Sequence, residues 1–285
     1  MNLSKLAIIG PGLLGGSIAQ AFRKKNSRTQ IAVWARRDEA VAEIQSAKIA
    51  DIASTDLRKV IEAADMIVFC VPIGAMTSLA EKIAPHISAT AFITDVGSVK
   101  APVVKALAPI FAARGKFVGS HPMAGSEQTG LAAARADLFD EAVCIVTPDE
   151  SSDAGAVEAI REFWTFLGCH VRTLPPAEHD EVIALVSHLP HLLAATLVNL
   201  VCAQNANSLN FCGNGFRDTT RVASGPPEMW NEIFSNNRDA LKKSVEAMIE
   251  KLRDVLKLLD MDDENRLTRF LKDAKTGRDR LRAGK

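Results

Sequence analysis

The sequence predicts an α/β protein in two parts, a doubly wound and mainly parallel sheet followed by an all-α domain. Three observations carry that prediction. Short β-rich runs alternate with amphipathic stretches up to about residue 174. A glycine-rich turn directly follows the first of those runs, and past Pro175-Pro176 long helix-compatible segments take over. Alternating β and α segments bury strands on both faces, the condition for a parallel sheet with helices on either side.

Strands are predicted at 6–10, 30–35, 66–71, 91–95, 117–119, 142–147 and 170–174, with helices such as 14–25, 38–48 and 154–167 between them. The second part starts with a long apolar stretch, 177–204, which contains Val182, Ile183, Leu185, Val186, Leu189, Leu192 and Leu193. A loop at Gly213-Asn214-Gly215 follows, then helices at 237–259 and 263–282. In the first of these, Leu241, Val245, Met248, Leu252, Val255 and Leu259 recur at three- and four-residue spacing and make an amphipathic stripe. The Pro-Pro pair sets the expected boundary between domains 1–174 and 175–285. Helices this apolar need cover, so a homodimer through the C-terminal helices is expected.

Composition narrows the function. A chain of 285 residues, 47% hydrophobic and 24% charged, has ordinary globular composition and length for two domains. Lysine plus arginine equals aspartate plus glutamate at 34 each, so no basic field is present to hold nucleic acid. Five scattered cysteines without a C-x-x-C pair read as reduced, buried thiols in a reducing compartment. The N-terminus lacks the pattern of a signal peptide, and no uninterrupted run of about 18 apolar residues suggests a membrane span. A cytoplasmic protein is expected.

The run Leu6-Ala7-Ile8-Ile9 leads into Gly10-Pro11-Gly12-Leu13-Leu14-Gly15 and then an alanine-bearing helix. Gly10 permits a tight turn, Gly12 lets backbone approach a pyrophosphate, and Gly15 lets helix and strand pack closely. The helix N-terminus offers amide hydrogens and a positive dipole end to phosphates. Between a strand and a helix this motif marks a Rossmann domain and its dinucleotide. Gly10, Gly12, Leu13, Leu14 and Gly15 are therefore cofactor-binding candidates, with Ala35, Arg36 and Arg37 after the second strand and Val71 and Pro72 after a later one. Where an NAD enzyme usually places an acid for the ribose hydroxyls, this chain has two arginines, whose guanidinium forks match a phosphate. NADP is favoured over NAD; the alternative is a solvated helix start with Asp38 reaching the ribose.

Four polar clusters are not explained by packing. They are Thr94-Asp95-Val96-Gly97-Ser98-Val99-Lys100, Gly119-Ser120-His121-Pro122-Met123-Ala124-Gly125-Ser126-Glu127, Ser187-His188-Leu189-Pro190-His191 and Gly215-Phe216-Arg217-Asp218-Thr219-Thr220-Arg221-Val222-Ala223. The first two follow predicted strands at the carboxyl edge, where ligands of open α/β sheets collect. His121 there is a candidate base. His188 and His191 could suggest a metal, but Pro190 lies between them and no third ligand converges, so none is expected.

Together the clusters resemble the prephenate and arogenate (cyclohexadienyl) dehydrogenases of tyrosine biosynthesis, over nearly the whole chain. The resemblance implies a Rossmann domain joined to a helical dimerisation domain. It also implies oxidation of the ring alcohol of prephenate or arogenate, with loss of carbon dioxide and hydride transfer to NADP or NAD. By the same resemblance, His121 accepts the hydroxyl proton, Ser98 orients the reacting groups and Arg221 pairs with the ring carboxylate. His191 and Trp230 line the side-chain end of the pocket, Glu127 links the catalytic loop to the other domain, and His188 is either a direct contact or a packing residue. Arg217 and Asp218 could form a structural pair. A histidine at 191 tilts the expectation towards prephenate. A β-hydroxyacid-type dehydrogenase and a non-catalytic NADP sensor are the more distant alternatives. The two domains use up the chain's length, leaving no room for a fused mutase or a regulatory domain.

Overall fold

In the computed structural model all residues are described except Asn2, Ser126, Glu127, Asp262, Gly284 and Lys285. The first half runs β1 (Lys5–Ile9), α1 (Leu13–Lys25), β2 (Gln30–Trp34), α2 (Asp38–Ala47), β3 (Ile52–Ser54), α3 (Leu57–Ile61), β4 (Met66–Phe69), α4 (Ile73–Ile83), β5 (Phe92–Asp95), α5 (Ala101–Phe111) and β6 (Lys116–Phe117). These six strands form one parallel sheet in the order β3-β2-β1-β4-β5-β6. Strand order reverses between β1 and β4, and the carboxyl ends of the strands flanking that point open the crevice where such sheets bind ligands. The strands are buried on both faces. Leu6 and Ile8 of β1 and Met66 and Val68 of β4 enter one core, while Ala7, Ile9, Ile67 and Phe69 enter the other. Side chains alternate along a strand, so a continuous apolar run feeds both layers of helices.

Three features differ from the expected single sheet. β3 was not anticipated, because its three residues are all half-buried and make no apolar run. The run predicted at 117–119 splits at Val118 into β6 and β7 (Gly119–Pro122). β7 belongs to a second, three-stranded sheet with β8 (Val143–Thr147) and β9 (His170–Thr173), between which lies α6 (Ala154–Leu167). β7 pairs antiparallel with β8, and β8 pairs parallel with β9. The peeling away of β7 has a visible anchor: Ser120 Oγ donates to the Asp95 carbonyl (2.6 Å) and accepts from Trp164 Nε1 (2.8 Å).

The predicted helix at 177–204 is one helical run with a defect. α7 (Pro176–Ile183) passes through a π turn, Ala184–His188, into α8 (Leu189–Gln204). Pro190 has no N–H, and its ring would clash with a carbonyl one α turn back, so the helix widens just before it; Leu189 N bonds to Ala184 O. By length and composition this run could cross a membrane, with mean hydropathy 1.6 over its most apolar window, but His179, Asp180, His188 and His191 are buried within it. α9 (Asn214–Thr220) and α10 (Pro227–Asn236) follow, then α11 (Arg238–Asp260) and α12 (Glu264–Ala283).

The chain divides into two compact units, Met1–Arg238 and Asp239–Lys285. The first therefore continues past the Pro-Pro pair. The second consists of most of α11 together with α12, and it leaves Ile249, Leu252, Leu256, Leu259, Phe270 and Leu271 exposed.

Candidate active site

A cavity of about 1010 Å³ opens at the carboxyl ends of β1, β4 and β5 and is closed by residues of the π turn, the segment after α9 and α10. One part of its wall is backbone. Gly10 turns the chain with φ of +111°, and a Cβ there would meet Cys70 O at 2.6 Å. Gly15 carries α1 over that turn so closely that a Cβ would lie 2.0 Å from Gly10 O. Gly12, by contrast, has open space where a side chain would project. It caps α1 without any side-chain hydrogen bond, which leaves the first amides of the helix to a ligand. Gly12, Leu13, Leu14, Val71 and Pro72 line the cavity. This is a cradle of the right shape and charge for a pyrophosphate.

Ala35, Arg36 and Arg37 lie off that wall. Ala35 is buried, while both arginines are exposed at the end of β2 and make no ion pair among the described residues. They are nonetheless near the glycine turn, since Gly10 N donates to Trp34 O at 3.0 Å.

The polar part of the cavity gathers Ser98, His121, His188, Arg221 and Trp230. Ser98 is held by the loop after β5, where Asp95 Oδ2 accepts from Gly97 N at 2.8 Å. The same carboxylate oxygen meets Lys100 Nζ in a fully buried ion pair, and Lys100 also donates to Ser120 O at 2.9 Å. A buried ammonium persists only where it is paired and hydrogen-bonded, and here that pairing ties the Ser98 loop to the strand bearing His121. Burial pushes the Lys100 ammonium pKa down, and Asp95 opposes it.

His121 is 6% exposed, and its Nδ1 lies 2.9 Å from His179 Nε2. His179 Nδ1 lies 2.8 Å from Asp180 Oδ1. Burial first, then the neighbouring His179, Lys100 and His188, push the His121 pKa well below the ordinary histidine value. The ring is therefore neutral near pH 7 and its Nε2 is left for the cavity.

His188 has a different neighbour. Its Nδ1 lies 3.2 Å from Asn237 Nδ2, an amide that can only donate, so the ring carries its proton on Nε2. That Nε2 has no hydrogen-bond partner among the described residues, and burial pushes the pKa down to about 4. His191 is off the cavity wall. It stacks on Trp230 with ring centroids 3.5 Å apart and planes at 14°, holding the indole edge of the pocket. Arg221 lies on the wall just after α9, and Arg217 and Asp218 form no ion pair among the described residues. Glu127 lies outside the described residues. No group of three metal-binding side chains occurs among the described residues.

Several residues of the site were not singled out by the sequence. His179 and Asp180 sit in Glu178-His179-Asp180-Glu181, which reads as an ordinary acidic first turn of a helix. Glu232 lines the cavity and accepts from Gly74 N, at the start of α4, at 2.5 Å. An exposed-looking glutamate on an amphipathic helix gives no hint of such a distant partner.

A doubly wound sheet with a glycine cradle, and a neutral histidine on the wall of the same cavity, define a nicotinamide dinucleotide-dependent dehydrogenase. The sequence matches the prephenate dehydrogenase nucleotide-binding domain over residues 18–173 and the prephenate dehydrogenase dimerization domain over residues 175–273. The chain belongs to the prephenate dehydrogenase family. It is 36% identical to the prephenate dehydrogenase of Bacillus subtilis over 99% of this chain and 77% of that protein. It is 31% identical to the cyclohexadienyl dehydrogenase of Zymomonas mobilis, over 96% and 94% respectively. The solved prephenate dehydrogenase of A. aeolicus in complex with hydroxyphenyl propionate and NAD+ superposes with a TM-score of 0.92, at 28% identity and 99% coverage of each chain.

Proposed function

We propose that this enzyme oxidises prephenate to 4-hydroxyphenylpyruvate with loss of carbon dioxide, using NADP in preference to NAD, as a cytoplasmic homodimer. The single observation that carries the reading is that His121, Ser98 and Arg221 line one cavity with Gly12, Leu13 and Leu14. The nicotinamide, when bound, supplies the hydride acceptor. Neutral His121 accepts the proton of the ring hydroxyl through Nε2 as the hydride leaves the same carbon. Ser98 hydrogen-bonds near that hydroxyl and fixes its direction. Arg221 pairs with the ring carboxylate until that group departs. Since loss of carbon dioxide makes the ring aromatic, the protein has mainly to position these groups.

Prephenate is favoured over arogenate because Arg221 and His188 lie at the helical end of the pocket, the latter with a buried Nε2–H that has no partner among the described residues, and such donors suit a keto group and a carboxylate. Glu228 and Glu232, also on the cavity wall, favour the amine of arogenate instead, and support the second reading. The NADP preference rests on Arg36 and Arg37, exposed beside the glycine turn with no acid between them and β2. The dimer is supported by the match of 175–273 to a dimerization domain and by the apolar side chains exposed on α11 and α12. We place the functional domain boundary at the Pro175-Pro176 pair, where the two family matches meet. Initial rates with prephenate and arogenate, each crossed with NADP and NAD, test the reading. A higher kcat/KM for arogenate, or for NAD, overturns the corresponding part.

A further inference from the structure

We propose that Asp180, His179 and His121 form a three-membered relay in which His179 is the positioning residue that fixes the tautomer of the base and shares its positive charge. The inference rests on the reading of His121 as base and says how that base is kept competent.

The direction of each hydrogen bond follows from the end that cannot donate. Asp180 Oδ1 accepts from Lys100 N at 2.7 Å, and Oδ2 accepts from Ala101 N at 2.9 Å. A carboxylate so engaged, at the N-terminus of α5, is held as an acceptor. The proton between Asp180 and His179, 2.8 Å apart, therefore sits on His179 Nδ1. His179 is fully buried, and that burial pushes its pKa down while Asp180 opposes the shift. In the neutral ring Nε2 is a lone pair, and 2.9 Å away is His121 Nδ1. Two lone pairs at that distance would repel, so His121 carries its proton on Nδ1 and keeps Nε2 as the accepting atom. The opposite tautomer of His121 would turn an N–H towards the substrate hydroxyl and could not remove its proton.

The same chain accounts for the charge formed during turnover. When the substrate O–H bond breaks and a His121 Nε2–H bond forms, His121 becomes an imidazolium. Its Nδ1–H bond can then lengthen and break as a His179 Nε2–H bond forms. The positive charge passes to the ring bonded to Asp180, and no further reactant is needed. The neighbouring charges make this useful. Lys100 disfavours a cation on either ring, while Asp180 first and then Asp95 favour one on His179. Cys144 of β8, the remaining titratable group close to His121 among the described residues, is a buried thiol whose pKa is raised well above the usual range, chiefly by burial, and so adds no charge. Asp180 also spans elements: it caps α5 and, through its carbonyl, accepts from Asn237 Nδ2 at 2.8 Å. A purely structural role would use those contacts and have no need of His179 Nε2.

Three enzymes separate the possibilities. His179→Leu removes the acceptor and is expected to lose kcat on the order of 10²-fold, by analogy with the loss of an orienting group behind a catalytic histidine, with KM within about threefold. His179→Gln, whose amide can accept from His121 and donate to Asp180, is expected to recover kcat to within about tenfold of wild type. His121→Asn serves as the reference: retained turnover there overturns the reading of the base itself. If His121→Asn is inactive while leucine at 179 leaves kcat unchanged, or glutamine is no better than leucine, the relay fails and the base stands. The wild-type enzyme gives an answer independent of the activity of the variants. Nitrogen-15 spectra of its six histidines should show His121 and His179 protonated on Nδ1, each assigned by its disappearance in the substituted enzyme. A His121 ring protonated on Nε2 overturns the relay.

Discussion

The part of the cavity at the glycine turn after β1 is built of backbone, whereas the part contributed by residues beyond β9 is built of side chains. At Gly10, Gly12 and Gly15 the function lies in what is missing, and each glycine does a different job: a turn, an opening and a close crossing. At His188 and Trp230 it lies in groups held by neighbours far away in sequence, Asn237 for His188 and His191 for Trp230. His121 stands between the two, on a strand of the small sheet yet governed by α7. The comparison teaches that a binding surface made of backbone needs only local sequence. A reacting surface needs a second layer of partners.

That contrast can be broken most sharply at its centre. His121→Asn should lower kcat about 10³-fold, with KM changed only a few-fold, because an amide cannot act as a base. Steady-state kinetics check this, and a tenfold loss or less would put the base elsewhere. Arg221→Leu should act on binding and raise KM for the carboxylate substrate about 30- to 100-fold, the cost of losing a charge-assisted pair.

The glycines sharpen the backbone side. Gly15→Ala forces a Cβ into the Gly10 carbonyl and should cost about 3 kcal/mol or more of stability in denaturant unfolding. Gly12→Ala meets no atom of the protein, so the melting temperature should hold while KM for the dinucleotide rises. Equal destabilisation by the two would erase the distinction between a fold glycine and a ligand glycine.

The smallest effect is on pH. The base works when neutral, and burial lowers its pKa, so kcat should stay flat as pH falls through 6.5 and drop only below it. An acid limb centred above 6.5 in the pH–rate profile would show that His121 is not buried during turnover.

Much of this molecule could be read from its sequence because local pattern and global fold agree. The glycine turn, the strands at β1, β2 and β4, and the span of α6 all announce themselves through periodicity and turn chemistry. β3 is too short and too exposed to announce itself. The break at Val118 was invisible because both flanking pieces look like one strand, and the decision to leave the sheet is made by Ser120 meeting Asp95 and Trp164 across the fold. In the site, the motif residues Ser98, His121 and Arg221 stand out as polar clusters near strand or helix ends. Lys100 is in one of those clusters, but only its full burial against Asp95 reveals why a lysine is there. His179 and Asp180 gave no signal at all, since acidic first turns are common and a hydrogen bond across 58 residues leaves no local trace.

The wide turn at Ala184–His188 is a place where this helix has already taken in one extra residue. Deleting one there would let the helix close into regular geometry with the later side chains near their present faces. A deletion in the regular turns of α8 has no such slack: about 1.5 Å of length is lost, and every later side chain swings by about 100° relative to α7. There a gap of one position is a change of face rather than of reach, and the apolar residues of α8 would point to new neighbours. Homologous chains should therefore vary by one position at the wide turn far more readily than within α8 itself.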